Sequence, residues 1–100
     1  MPQNPLIPRA GGNANHLNIT ATTVIKATPG TVYRVIVNTA PTGAGGVYDV
    51  ATTGGAAAAN LICEIPTGLT APVIYDLTFP CTTGIVVNPG TGGVVSVSYS

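Results

Sequence analysis

Residues 31–49, TVYRVIVNTAPTGAGGVYD, set the terms for the rest of the chain. A dense β-branched run (Val32, Val35, Ile36, Val37) leads into a Gly- and Pro-rich turn, and a second run opens on Val47-Tyr48-Asp49. β-Branched and aromatic side chains suit a pleated, half-buried surface, and clusters of Gly and Pro end strands. The unit reads as strand, turn, strand. The pattern recurs over residues 73–84, where Ile74-Tyr75-Asp76-Leu77 echoes Val47-Tyr48-Asp49-Val50.

The remaining segments fit the same grammar. Leu17, Ile19 and Ala21 alternate with Asn18, Thr20 and Thr22, and Val24-Ile25-Lys26 continues them past a bulge at Thr22-Thr23, as one bent strand or a first strand pair. Residues 31–38 are the most apolar run and are expected to be central and covered on both faces. Further strands are expected over residues 47–51, 61–65, 72–79 and 84–88, the 72–79 run being closed by Pro80. Residues 52–60 contain four alanines, too few to nucleate a helix, and read as a loop with one helical turn. The last run alternates Val95, Val97 and Tyr99 with Ser96, Ser98 and Ser100, which ties the end of the chain into a sheet. About seven short strands at roughly ten-residue spacing predict an all-β fold, a small antiparallel β-sandwich or jelly-roll-like barrel.

Residues 1–15 stand apart. Pro2, Pro5 and Pro8 lack amide donors and resist both helix and central strand. Leu6 and Ile7 sit among them, which favours an extended arm laid on a neighbouring subunit over a frayed end. The expected division is an arm over residues 1–15 and a β domain over residues 16–100.

Charge narrows the function classes. Only 6% of the 100 residues are charged and the net charge is zero, against about 25% charged in a typical soluble domain. With a mean hydropathy of +0.44, such a chain tends to associate, because charge normally keeps proteins apart. Lys26, Arg9 and Arg34 are the only bases, so the basic patch that nucleic acid needs is absent. No run is long and apolar enough for a membrane helix, and the start lacks the apolar core of a signal peptide, so synthesis in the cytoplasm is expected. Cys63 and Cys81 read as reduced, buried small hydrophobes, with their one intramolecular pairing as the alternative.

Catalytic constellations are missing. His16 is the only histidine and reads as a surface or subunit-contact residue. One His and two widely spaced Cys do not make a metal site. Asp49 and Asp76 share a Tyr-Asp context and form the one conceivable glycosidase-like pair, but sugar platforms of Trp are lacking. Asp49, Glu64 and Asp76 are the only acids, and Asp49 and Asp76 are better read as ion partners of Lys26 or Arg34, since buried or interfacial charges require partners. Neither Gly43-Ala44-Gly45-Gly46 nor Gly90-Thr91-Gly92-Gly93 precedes a Lys-Ser/Thr pair, so both are turns rather than phosphate loops. No enzymatic activity and no cofactor are expected.

From Lys26 onward the chain resembles small virion proteins of tailed bacteriophages associated with head decoration or cement. The resemblance rests on an ordered set: Pro29-Gly30, the Tyr- and Val-bearing strand, Asn38-Thr39, the Gly-rich turn, Val47-Tyr48-Asp49, Ile65-Pro66-Thr67-Gly68, Tyr75-Asp76-Leu77, Gly84-Ile85-Val86-Val87 and Gly92 to Tyr99. It spans about residues 24–100 and leaves out the arm. It implies a β-sandwich or jelly roll, a homo-oligomer (a trimer in such proteins), seated on a shell of major capsid protein at the virion surface. Leu6, Ile7 and Arg9 are the expected arm contacts, with Arg34, Asp49 and Asp76 as interchain or interstrand ion partners. The competing readings are a head-fibre, tail or receptor-binding module of the virion, and a carbohydrate-binding β-sandwich using Tyr48 or Tyr75.

Overall fold

A computed structural model describes residues 14–100 as eight strands in two four-stranded antiparallel sheets. The strands are β1 (Ala14–Ile19), β2 (Thr23–Lys26), β3 (Gly30–Thr39), β4 (Gly45–Tyr48), β5 (Leu61–Ile65), β6 (Val73–Cys81), β7 (Ile85–Asn88) and β8 (Val94–Tyr99). Sheet A has the order β1-β8-β3-β6 and sheet B the order β2-β7-β4-β5. Every connection except β4–β5 therefore passes from one sheet to the other. This is the wiring of an eight-stranded jelly roll, within the expected fold class and with one strand more than the expected seven.

The extra strand comes from the first segment. It is not one bent strand, because the chain turns a corner at residues 20–22 and β1 and β2 join different sheets. β1 also begins at Ala14, inside the stretch assigned to the arm. β4 ends at Tyr48, three residues short of expectation, because the backbone bends at Asp49. β6 continues through Pro80, which an edge strand tolerates since its missing amide faces no partner.

Between the sheets lies a core of branched aliphatics. Val32, Val35 and Val37 of β3 and Val95 and Val97 of β8 face Ile25, Val47, Ile65, Ile85 and Val87 of sheet B, all buried. Tyr75, Leu77 and Tyr99 pack around its margin. β3 is central, as expected, but sheet B covers only one of its faces: Arg34 and Ile36 are half-buried and Asn38 is exposed.

Both ends of the sandwich are fastened. At one end the 40–44 and 89–93 loops pair, Thr42 N donating to Thr91 O at 2.8 Å and Thr91 N to Gly43 O at 3.0 Å. Gly90 adopts φ +85° there, a conformation open to glycine but strained for an L side chain. At the other end Thr31 and Ser100 exchange backbone hydrogen bonds at 3.1 and 2.9 Å, so the last residue is tied to the sheet. The alanine-rich stretch forms two 3₁₀ turns, Thr53–Gly55 and Ala58–Asn60, where one turn was expected. Asn60 clasps them, its Oδ1 accepting from Ala57 N and its Nδ2 donating to Gly55 O.

Candidate interaction surface

The strand registers fix which side chains share the outer face of sheet A. Arg34 lies opposite Asp76 on β6 and Ser98 on β8; Ile36 lies opposite Ile74 and Ser96. Asn15 on β1 lies opposite Ser98. With a side-chain period of two, these residues and Asn38 stand on one face while Val35, Val37, Val95 and Val97 point into the core. The rows across the face are therefore Asn15–Ser98–Arg34–Asp76 and, beside it, Ser96–Ile36–Ile74, with Leu17 at the β1 margin.

This face mixes three aliphatic side chains (Leu17, Ile36 and Ile74) with serine and asparagine, and its two charges, Arg34 and Asp76, are of opposite sign. Leu17 is 66% exposed and Ile74 63%, the highest values for large hydrophobic residues among the described residues. Hydrogen bonds join the strands across this face: Asn38 Nδ2 donates to Ser96 Oγ at 3.3 Å, and the Asn18 and Arg34 amides donate to the Ser96 and Ser98 hydroxyls. Arg34 Nε and Asp76 Oδ2 are 3.9 Å apart, the one ion pair among the described residues. The distance is at the outer limit of an ion pair, and Asp76 spends its other oxygen on the Thr78 hydroxyl at 3.2 Å.

The opposite outer face, on sheet B, carries the row Val24–Val86–Tyr48–Leu61. Val86 is fully buried in that row, while Val24 and Leu61 are partly exposed. Tyr48 and Leu61 crowd the space above Gly46, where a Cβ would meet both side chains.

Asp49 was expected as an ion partner and has a different role. Its Oδ2 accepts from the Thr82 amide at 3.0 Å and hydroxyl at 3.2 Å, and its Oδ1 from the amides of Thr83 at 2.9 Å and Gly84 at 3.2 Å. The carboxylate thus caps the β6–β7 turn from the end of β4. Burial pushes its pKa up, but the amides and hydroxyl together outweigh that effect and hold it below the usual 3.8. Asp49 and Asp76 do not meet: one faces the turn beyond sheet B, the other the outer face of sheet A. Of the two tyrosines considered for sugar binding, Tyr75 packs against the core and Tyr48 lies in the outer row of sheet B.

Arg34 and Asp76 are thus brought together on one face, and Asp49 is set apart from them. Leu6, Ile7 and Arg9 lie outside the described residues. Ile74, Leu17 and Ile36 had not been singled out; the alternation of Ile74 and Asp76 with Tyr75 and Leu77 was the signal that could have found Ile74. His16 is half-buried, opposite Val97.

Cys63 and Cys81 are free thiols. Burial, with the Asp49 charge second, pushes the Cys81 thiol up to about 11 against an amide bond from Val32; burial and then Glu64 raise Cys63. Both are poor nucleophiles at neutral pH. Among the described residues no group of His, Cys, Asp and Glu could hold a metal ion, and no helix is long and apolar enough to cross a membrane.

Compared with protein-family models, with curated proteins and with solved structures, the chain matches none of them.

Proposed function

We propose that this chain is a capsid decoration (cement) protein of a tailed bacteriophage, which docks as a homo-oligomer on the outside of the major capsid protein shell and stabilises it. The observation that carries the reading is the outer face of sheet A. Exposed Leu17 and Ile74 stand there beside serine and asparagine side chains, with a single ion pair. A monomer in water gains little from such a face, whereas the cores of protein interfaces are depleted in charge and rich in apolar contacts. The jelly roll supports the reading as an architecture used in viral capsid domains, although a fold alone does not assign a function. Many weak contacts repeated over a symmetric shell add up, so a small domain can brace a large one. Leu6, Ile7 and Arg9 of the arm, together with Arg34 and Asp76, are the contact residues in this reading, and Asp49 serves the fold.

Gold-labelled antibody against the chain, applied to virus particles from the cells that encode it, tests the proposal. Label distributed over the head, with heads lacking the chain rupturing at lower temperature, is the expected result. Label confined to the tail, or absent from particles, rejects it.

A further inference from the structure

We propose that one extra residue in each outer strand is the device that keeps this charge-poor domain from polymerising through its sheet edges, so that copies and partners reach it by side chains and not by strand addition. The strand registers, the exposed hydrophobic side chains and the distribution of charge carry the inference together.

Sheet A ends in β1 and β6, and sheet B in β2 and β5. Each of these four outruns its inner neighbour by one residue. In β1 the step from His16 to Ile19 covers three positions, against two from Val97 to Val95. In β6 the step from Asp76 to Phe79 covers three, against two from Arg34 to Val32. In β2 the step from Val24 to Lys26 covers two, against one from Val86 to Ile85, and in β5 Leu61 to Cys63 covers two, against one from Tyr48 to Val47. Of the inner pairs, β4–β7 keeps its register, and β3 carries the extra residues against β8. Asn18 at φ +57° and Thr78 at +45°, the two non-glycine residues with positive φ among the described residues, lie inside the β1 and β6 bulges.

An edge that accepts a strand offers amides and carbonyls in a regular ladder; a bulge interrupts that ladder and bends the strand. This domain has reason to interrupt it. The exposed large hydrophobic side chains among the described residues, Leu17, Val24, Leu61, Ile74 and Phe79, all lie on the outer strands. Flat outer strands bearing such side chains are templates for aggregation. Charge is the common guard, and here it is thin: Lys26 in β2, Glu64 in β5, Asp76 in β6, and no Asp, Glu, Lys or Arg in β1. Pro80 protects β6 alone. β1 therefore depends most on its bulge.

Deleting Asn18 removes that bulge and spares the core. Asn18 is exposed, and the shortened strand sets His16, Leu17 and Ile19 one for one against Val97, Ser96 and Val95, with Ile19 still inward. Sedimentation velocity over a concentration series, with circular dichroism checking the fold, compares this variant with the parent. The deletion should lower the concentration at which the chain self-associates by roughly tenfold or more, the return on one or two net backbone hydrogen bonds. The β1 amides of the associated variant should gain protection from hydrogen exchange. Asn18→Gly keeps the extra residue and its left-handed backbone, so it should associate as the parent does. A folded deletion variant that associates no more than the parent overturns the inference, and so does an Asn18→Gly protein that associates as strongly as the deletion. The unmodified chain supplies a reading that holds even where the deletion fails to fold. Amides of β1, β2, β5 and β6 should exchange at rates independent of protein concentration; exchange that slows in them as the concentration rises overturns the proposal. The inference takes nothing from the proposed function and is tested on the free protein, so the two stand or fall separately.

Discussion

Asp49 is the residue whose loss the fold should feel most among the charged positions. One carboxylate receives three amides and a hydroxyl from residues 82–84, far away in sequence, and so fastens the end of sheet B to the turn leaving sheet A. Hydrogen bonds to a charged acceptor contribute about 1.5–3 kcal/mol, and discounting for this group's contact with water leaves about 1–2 kcal/mol for Asp49→Ala. Thermal unfolding should therefore move down by about 4–8 °C per kcal/mol lost. Its folded pKa lies below the unfolded 3.8, so the stabilisation is complete above that value and disappears as pH falls through the folded pKa. The melting temperatures of the parent and Asp49→Ala proteins should accordingly converge on acidification below about pH 4. A gap that does not narrow as the pH falls from about 4 would contradict the charged cap. Arg34→Ala, by contrast, removes a long, solvent-exposed pair and should change the unfolding free energy by less than about 0.5 kcal/mol.

At the scale of strands, alternation was legible and parity was not. β8 and β7 fall where Val95, Val97 and the Gly84–Asn88 run placed them, because one buried face imposes a period of two on the residues. The Tyr-Asp echo shows what the pattern withholds. In β6 the register turns Tyr75 inward and Asp76 outward, whereas at the end of β4 Val47 is the inward residue and Tyr48 lies on the outer face. Two like strings therefore present opposite faces, since parity depends on which neighbour each strand finds and not on its own residues. The corner at residues 20–22, the Asn60 clasp and the Asp49 cap share this origin: each is a contact between distant segments, invisible to local propensity. The candidate face was half legible, Arg34 and Asp76 from their charge and Ile74 only once its register was known. The same registers sort the aliphatics by consequence. Ile85→Ala, in the core and fully buried, should cost about 2–5 kcal/mol in urea unfolding. Ile74→Ala, on the outer face, should stay within about 0.5 kcal/mol. Gly45→Ala would drive a Cβ into the Asn88 carbonyl where β4 passes the β7–β8 loop, and overpacking of that kind costs about 1–3 kcal/mol.

At the scale of the whole molecule, the wiring separates what makes the fold from what remains for partners. The core is closed by strands from Ala14 onward, and β1 starts at the end of the sandwich where Thr31 and Ser100 pair and Asp49 caps its turn. Among the described residues, the buried core runs from Ile19 to Val97. Removing residues 1–12 should thus leave the melting temperature and the circular dichroism spectrum of the β domain in place. If the arm works as proposed, the same deletion removes Leu6, Ile7 and Arg9 from the contact with the shell. Burying a large aliphatic side chain contributes about 1.5–3 kcal/mol, and each 1.4 kcal/mol is tenfold in affinity, so cosedimentation with heads should weaken by about tenfold or more. The two readouts answer different questions. A truncated chain that unfolds would make the arm part of the fold, and one that folds and binds as before would leave the outer faces as the whole of the docking surface. Only a chain that keeps its melting temperature and loses its grip on the head fits an arm that acts between molecules.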